Sequence, residues 1–137
     1  MGVTDDKGQL VDGCCSVTHR WDFSDRDYFL VHRDHANVGL YVSAVYKARS
    51  RAGVEAIALS RRMNRPDGTF AGTALVAIDL DYFKQLLEKL DVGPRGVTAI
   101  VRTDGTLVAR NPPPGAARAL NFSKSLTFPR MVNQESG

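Results

Sequence analysis

The sequence has few of the residues on which catalysis, metal binding or cross-linking depend. Its two cysteines, Cys14 and Cys15, are adjacent, a spacing that suits neither an ordinary structural disulfide nor a metal-ligand pair. The three histidines, His19, His32 and His35, are scattered. His32 and His35 lie one helical turn apart, but no third ligand accompanies them, so no metal site is expected. There is no Gly-rich phosphate cradle, no G-x-S-x-G turn and no recognisable carboxylate pair, which argues against an enzyme; no cofactor is expected. No helix-turn-helix, zinc-finger spacing or aromatic RNA-binding signature is present, so nucleic acid is not an expected partner. No apolar run reaches the ~20 residues that cross a bilayer, and the N-terminus lacks the basic-then-apolar pattern of a signal peptide. The segment reads as soluble, with any membrane attachment left to absent flanking helices.

What is present is enough for one ordinary core: 137 residues, 43% hydrophobic and 24% charged. The formal net charge of +3 is unevenly distributed. Six basic residues, Lys47, Arg49, Arg51, Arg61, Arg62 and Arg65, stand against the single acid Glu55 between positions 47 and 65. Such a run can attract an anion, or simply form a solvated basic edge.

Turn and periodicity signals set the order of elements. Thr4-Asp5-Asp6-Lys7-Gly8 divides a first hairpin, whose second strand runs from Gln9 to about Ser16. A short helix is expected over 25–33, with Ser24 or Asp25 as its cap and Asp27 favouring its positive end. Extended structure resumes over 38–45 and again over 54–63. In the latter, Ile57, Leu59 and Met63 alternate with Ala58, Ser60 and Arg62, which predicts one core face and one polar or pocket face. Asn64-Arg65-Pro66-Asp67-Gly68 is a tight turn leading to a central strand over 70–80, interrupted near its end by Asp79. Asp81 caps a helix whose Phe83, Leu86, Leu87 and Leu90 are expected to pack on that strand. A last hairpin, 97–102 with 106–110, turns at Thr103-Asp104-Gly105, and Pro112-Pro113-Pro114-Gly115 opens a tail. No internal repeat stands out. The whole predicts an α+β domain in which helices flank a central antiparallel sheet.

The densest chemistry lies in Trp21-Asp22-Phe23-Ser24-Asp25-Arg26-Asp27-Tyr28-Phe29. Aromatic rings crowd an arginine whose planar guanidinium suits a carboxylate, as in a pocket wall. Phe23, Tyr28 and Phe29 serve equally well as core residues, with Arg26 pairing a nearby aspartate.

Taken in order, Asp5-x-x-Gly8, Ser24 to Phe29, Leu59-Ser60-Arg61-Arg62, Pro66-Asp67-Gly68-x-Phe70-x-Gly72, Asp79-x-x-Tyr82-Phe83 and Asp104-Gly105 resemble a PAS-like Cache sensor lobe. The resemblance is to the membrane-distal half of double-Cache domains in bacterial histidine kinases, diguanylate cyclases and chemoreceptors. It covers about residues 3–110. It implies a lobe over 1–110 lacking its N-terminal helix, and a linker over 111–137 toward an absent second lobe. It further implies a periplasmic location in an inner-membrane protein and dimerisation through that helix. It places Trp21, Arg26, Tyr28, Phe29, Tyr46 and Asp79 in a ligand pocket, with Lys47 or Arg49 on the loop above. The mid-motif acid that meets a ligand ammonium in amino-acid-binding members falls at Val31, so the implied ligand is a small carboxylate rather than an amino acid. The other reading is a structural or dimerisation lobe without a ligand.

Overall fold

The structure, a computed structural model, describes residues 1–13, 21–113, 121–125 and 128–132. Cys14, Cys15 and His19 lie outside the described residues. The chain divides into two compact units, Met1–Asp79 and Leu80–Gly137.

Among the described residues the first unit is an antiparallel sheet with one helix on it. Its elements are β1 (Gly2–Thr4), β2 (Leu10–Gly13), α1 (Asp27–Asp34), β3 (Tyr41–Val42), β4 (Tyr46–Lys47), β5 (Glu55–Asn64) and β6 (Phe70–Asp79). The sheet order is β2-β1-β6-β5-β3, with β4 also paired to β5. The predicted central strand is therefore central, between β1 and β5. The long β5–β6 ladder pairs Ala56, Ala58, Ser60 and Arg62 with Asp79, Ala77, Leu75 and Thr73. Because side chains alternate along a strand, these eight share one face.

That face carries α1. Tyr28 and Phe29 are buried against Ala58 and Leu75, and the His32 ring meets the Ser60 hydroxyl at 3.0 Å. The expectation for β5 is a core face and a polar or pocket face. The face of Ala58 and Ser60 is the one shared with Leu75 and Ala77, which floor a cavity, and Ile57 on the other face is buried, but the polar-side residues are more enclosed than an open polar face would be. Ala58 and Ser60 are fully buried beneath the helix, while Leu59 and Met63, on the opposite face, are only partly covered. Small residues at 56, 58 and 60 let the helix approach closely enough to seal them.

Most buried hydroxyls here are paired, as burial favours. The Thr4 and Thr73 hydroxyls bond each other at 2.9 Å, and Thr73 N–H donates to Thr4 Oγ1 at 3.1 Å. The start of α1 differs from the expected cap. Arg26 is the N-cap residue, and its guanidinium, which carries donors only, makes no capping bond; Asp25 is held by Arg49. Asp27 Oδ2 accepts from Tyr41 Oη at 3.2 Å and from Ala44 N–H at 2.8 Å, fastening the β3–β4 connection to the helix. At the other end Arg62 donates to the His32 carbonyl, a cation where the helix dipole favours one.

The second unit holds α2 (Leu80–Glu88), the hairpin β7 (Thr98–Val101) and β8 (Leu107–Asn111), and α3 (Phe128–Val132). The β7–β8 pair is its own two-stranded sheet. The expectation for α2 is corrected here: its packing partner is β8, within this unit. Leu80 and Leu87 are buried, whereas Leu86 and Leu90 are 45% and 50% exposed. The apolar arc of the helix is wider than the surface covering it, and its Tyr82–Leu86–Leu90 edge stays outside.

A repeat that the sequence reading missed is plain in the backbone. In the first unit Gly8 N–H donates to Asp5 O, Phe23 N–H to Gly8 O at 2.8 Å, and Ser24 N–H to Asp22 Oδ1 at 2.8 Å. In the second, Gly105 N–H donates to Arg102 O, Phe122 N–H to Gly105 O at 2.7 Å, and Ser123 N–H to Asn121 Oδ1 at 2.8 Å. Isolated bridges join Gln9 to Asp22 and Thr106 to Asn121 in the same way. Both glycines have positive φ, and a Cβ on either would fall within 2.6 Å of the Ser24 or Ser123 backbone, so only glycine fits. The spacing hides the repeat, since Gly8 to Phe23 and Gly105 to Phe122 differ in length and only Gly-x-Leu-Val and Phe-Ser are shared.

Candidate functional site

The first unit contains a cavity of about 300 Å³. Its aromatic walls are Trp21, Phe23, Tyr28 and Tyr46, its floor is Leu75 and Ala77 of β6, and Arg49 and Arg51 stand at its side; β1 and β2 contribute Gly2, Leu10 and Gly13. No acidic residue lines it among the described residues.

Sequence and fold together explain why these groups meet. Phe23 N–H is fixed to Gly8 O and Leu10 N–H to Trp21 O, which brings the segment before α1 onto the first hairpin. Tyr28 is buried on the sheet side of α1, with its ring 6.2 Å from Phe23 and 5.4 Å from Tyr46. Burial pushes both the Tyr28 and the Tyr46 phenol up from the ordinary tyrosine range, so both remain neutral and can donate a hydrogen bond. On β6, Leu75, Ala77 and Asp79 share the helix-covered face.

The predicted site residues divide among three environments. Trp21, Tyr28 and Tyr46 line the cavity. Arg26 lies behind it. Its guanidinium carbon is 5.2 Å from the centre of the Tyr46 ring, and Nη2 donates to the Lys47 carbonyl at 3.1 Å. Asp79 lies on the cavity's side of the sheet but not in the lining; its Oδ2 is 3.6 Å from Nη1 of Arg51. Phe29 is turned into the core, where its ring meets Phe70 edge-on at 5.5 Å.

The two lining arginines differ in how strongly they are held. Arg49 forms a fork on Asp25, 2.8 and 2.6 Å to the two carboxylate oxygens, and also donates to the Asp22 carbonyl. This fork holds the Asp25 carboxyl below the usual carboxylate range. Arg51, which the sequence reading did not single out, has the longer contact with Asp79 as its ion pair among the described residues. The sequence carried no signal for it beyond its place in the basic run, because residues 49–51 form a bend rather than a strand with fixed alternation. Two others of the basic run are occupied elsewhere: Arg62 stacks over Phe70 at 4.7 Å and Arg65 pairs with Asp6 at 2.6 Å. Among the described residues no three side chains gather to hold a metal ion, and no helix is long and apolar enough to cross a membrane.

Residues 80–136 match the family described as a histidine kinase sensor domain, dCache_1_like. Over 94% of its length the chain superposes with a TM-score of 0.76 on the extracellular domain assigned to the histidine kinase rpHK1S-Z16, at 30% identity. The chain is a Cache-type sensor domain. It spans 54% of that structure's length. The fold recurs at TM-scores of 0.64 and 0.60 in an extracellular ligand-binding receptor from Desulfohalobium retbaense DSM5692 and the extracellular domain assigned to the histidine kinase vpHK1S-Z8. Their identities are 21% and 18%, with 99% of this chain covered in each and 24% and 56% of theirs. No curated protein matches the chain. Two of these neighbours are extracellular domains and the third is an extracellular receptor, which agrees with an extracytoplasmic location for this sensor domain. The antiparallel sheet with helices agrees with the PAS-like fold that the sequence predicted.

Proposed function

We propose that the first unit is the ligand-sensing lobe of a transmembrane histidine kinase and that its cavity receives a small carboxylate. The observation that carries this reading is the composition of the cavity: four aromatic rings, two arginines and no acid among its described lining residues. Apolar walls with a few convergent polar groups are the usual make-up of small-molecule sites. A cavity of about 300 Å³ accepts a molecule of roughly ten non-hydrogen atoms, taking the volume of a liquid water for each. The aromatic faces suit a flat or apolar body. The arginines suit its anionic end, and no lining carboxylate waits for an ammonium. Trp21, Tyr28 and Tyr46 act as walls, Arg26 braces Tyr46, and Asp79 sits at the margin through Arg51. Residues 80–137, with their repeated hairpin and approach to a helix, are read as the opening of a second lobe rather than as a linker.

A thermal-shift panel of small carboxylates against their amide isosteres tests the reading. Ligands that bind the folded state raise the melting temperature by mass action, so carboxylates are expected to stabilise and amides are not. If neither class shifts the transition, the lobe is a structural or dimerisation module.

A further inference from the structure

We infer that Arg51, rather than Arg26, grips the anionic group of the ligand, and that it does so by exchanging Asp79 for the ligand. The inference rests on the cavity being the sensing site. Three arginines stand near the cavity, and their existing bonds rank them. Arg49 is committed to Asp25 through two short bonds and to the Asp22 carbonyl through another. Arg26 stacks on Tyr46, bonds Lys47 O, and is absent from the lining. Arg51 lines the cavity, and its ion pair with Asp79 spans 3.6 Å, beyond the 2.7–2.9 Å of a charge-assisted hydrogen bond.

A contact of that length is mainly Coulombic and, with both side chains partly in water, worth little. A ligand carboxylate placed against the aromatic walls can bond the Arg51 guanidinium bidentately, which gains two short bonds for one long contact. Asp79 is then released from Arg51. Asp79 is the last residue of β6 and immediately precedes Leu80, the first residue of α2. The group displaced by ligand therefore lies where the sensing sheet hands the chain to the next element. Exchange of one carboxylate for another at a single arginine gives bound and free lobes different local contacts at that junction, and a ligand shifts a conformational equilibrium only through such a difference.

Benzoate is the probe, with benzamide as its neutral isostere, titrated calorimetrically into the full chain as wild type, Arg51→Gln, Arg26→Ala and Asp79→Asn. Arg51→Gln is expected to weaken benzoate about 10- to 100-fold, the loss of a charge-assisted fork, and to leave benzamide unchanged. Asp79→Asn is expected to tighten benzoate roughly two- to fivefold by removing the competitor. If wild type binds benzoate and folded Arg51→Gln binds it equally well, the inference is overturned while the sensing site stands. If Asp79→Asn weakens benzoate, Asp79 supports the ligand and the exchange is refuted. If wild type binds no carboxylate of the panel, the sensing reading and the inference fall together.

Discussion

Arg26→Ala separates a brace from a ligand anchor. In the structure Arg26 contributes a cation–π contact with Tyr46 at 5.2 Å and a hydrogen bond to the Lys47 carbonyl at 3.1 Å. The first is worth about 0.5–1 kcal/mol and the second about 0.5–1.5 kcal/mol. Against this, truncation removes an Nε that is buried without a protein partner, which returns part of the loss. The net expectation is a destabilisation of about 1 kcal/mol, or roughly 3–6 °C in melting temperature for a chain of this size. The backbone bonds that start α1, from Phe29 and Leu30 N–H to the Arg26 carbonyl, are indifferent to the side chain, so the helix persists. Trp21, the single tryptophan, lies in the cavity wall, and its fluorescence in a denaturant titration reports the unit concerned. Benzoate affinity should fall less than threefold, because Arg26 shapes the wall without touching the ligand. An unchanged midpoint together with a 10- to 100-fold loss of benzoate affinity would refute this assignment and return the anchor to Arg26.

Thr4→Val is expected to cost about 1–3 kcal/mol and Thr73→Val less, measured by denaturant midpoints, since Thr4 Oγ1 serves both the Thr73 hydroxyl and its N–H. Burial lowers the His32 pKa from 6.5, aided by the nearby Arg62. Below about pH 6.5 the unfolded chain therefore binds a proton that the folded one resists, and stability should drop as the pH falls through that value. His32→Gln should flatten this part of a stability–pH curve, and an unchanged slope would show that His32 is not responsible. Gly8→Ala, which forces a Cβ to 2.6 Å from the Ser24 backbone at φ +84°, should lower the unfolding free energy read from Trp21 fluorescence by about 2–4 kcal/mol.

How far the sequence disclosed this structure depended on the range of the interaction. The central strand was legible because an apolar run of small and β-branched residues is a local signal, and the 56/58/60 alternation correctly separated two faces of β5. Which of those faces the helix would cover was not legible, since Ala58 and Ser60 are ordinary on a solvated face and buried only because α1 crosses them. Leu86 and Leu90 misled for the same reason: helical periodicity names an apolar arc, not how much of it a neighbour can cover. At the site, the aromatic cluster from Trp21 to Tyr28 identified the wall, but Tyr28 and Phe29 are adjacent and only packing divides them between cavity and core. Arg26 drew attention by motif, whereas the ranking of Arg26, Arg49 and Arg51 follows from partners 24 to 28 residues away, Asp25 for Arg49 and Asp79 for Arg51. The Gly8 and Gly105 repeat was hidden because its unity lies in backbone hydrogen bonds, with few shared side chains.

The central claim is that a carboxylate sits in the first-unit cavity with its charge on Arg51. Crystals of the chain grown with 4-bromobenzoate measure this directly through the anomalous signal of bromine. The account predicts a single strong peak between the Trp21, Tyr28 and Tyr46 rings, with carboxylate density on the Arg51 guanidinium and Asp79 moved away from it. A peak elsewhere on the molecule, carboxylate density on Arg26, or a bound ligand with the Arg51–Asp79 contact intact would contradict it.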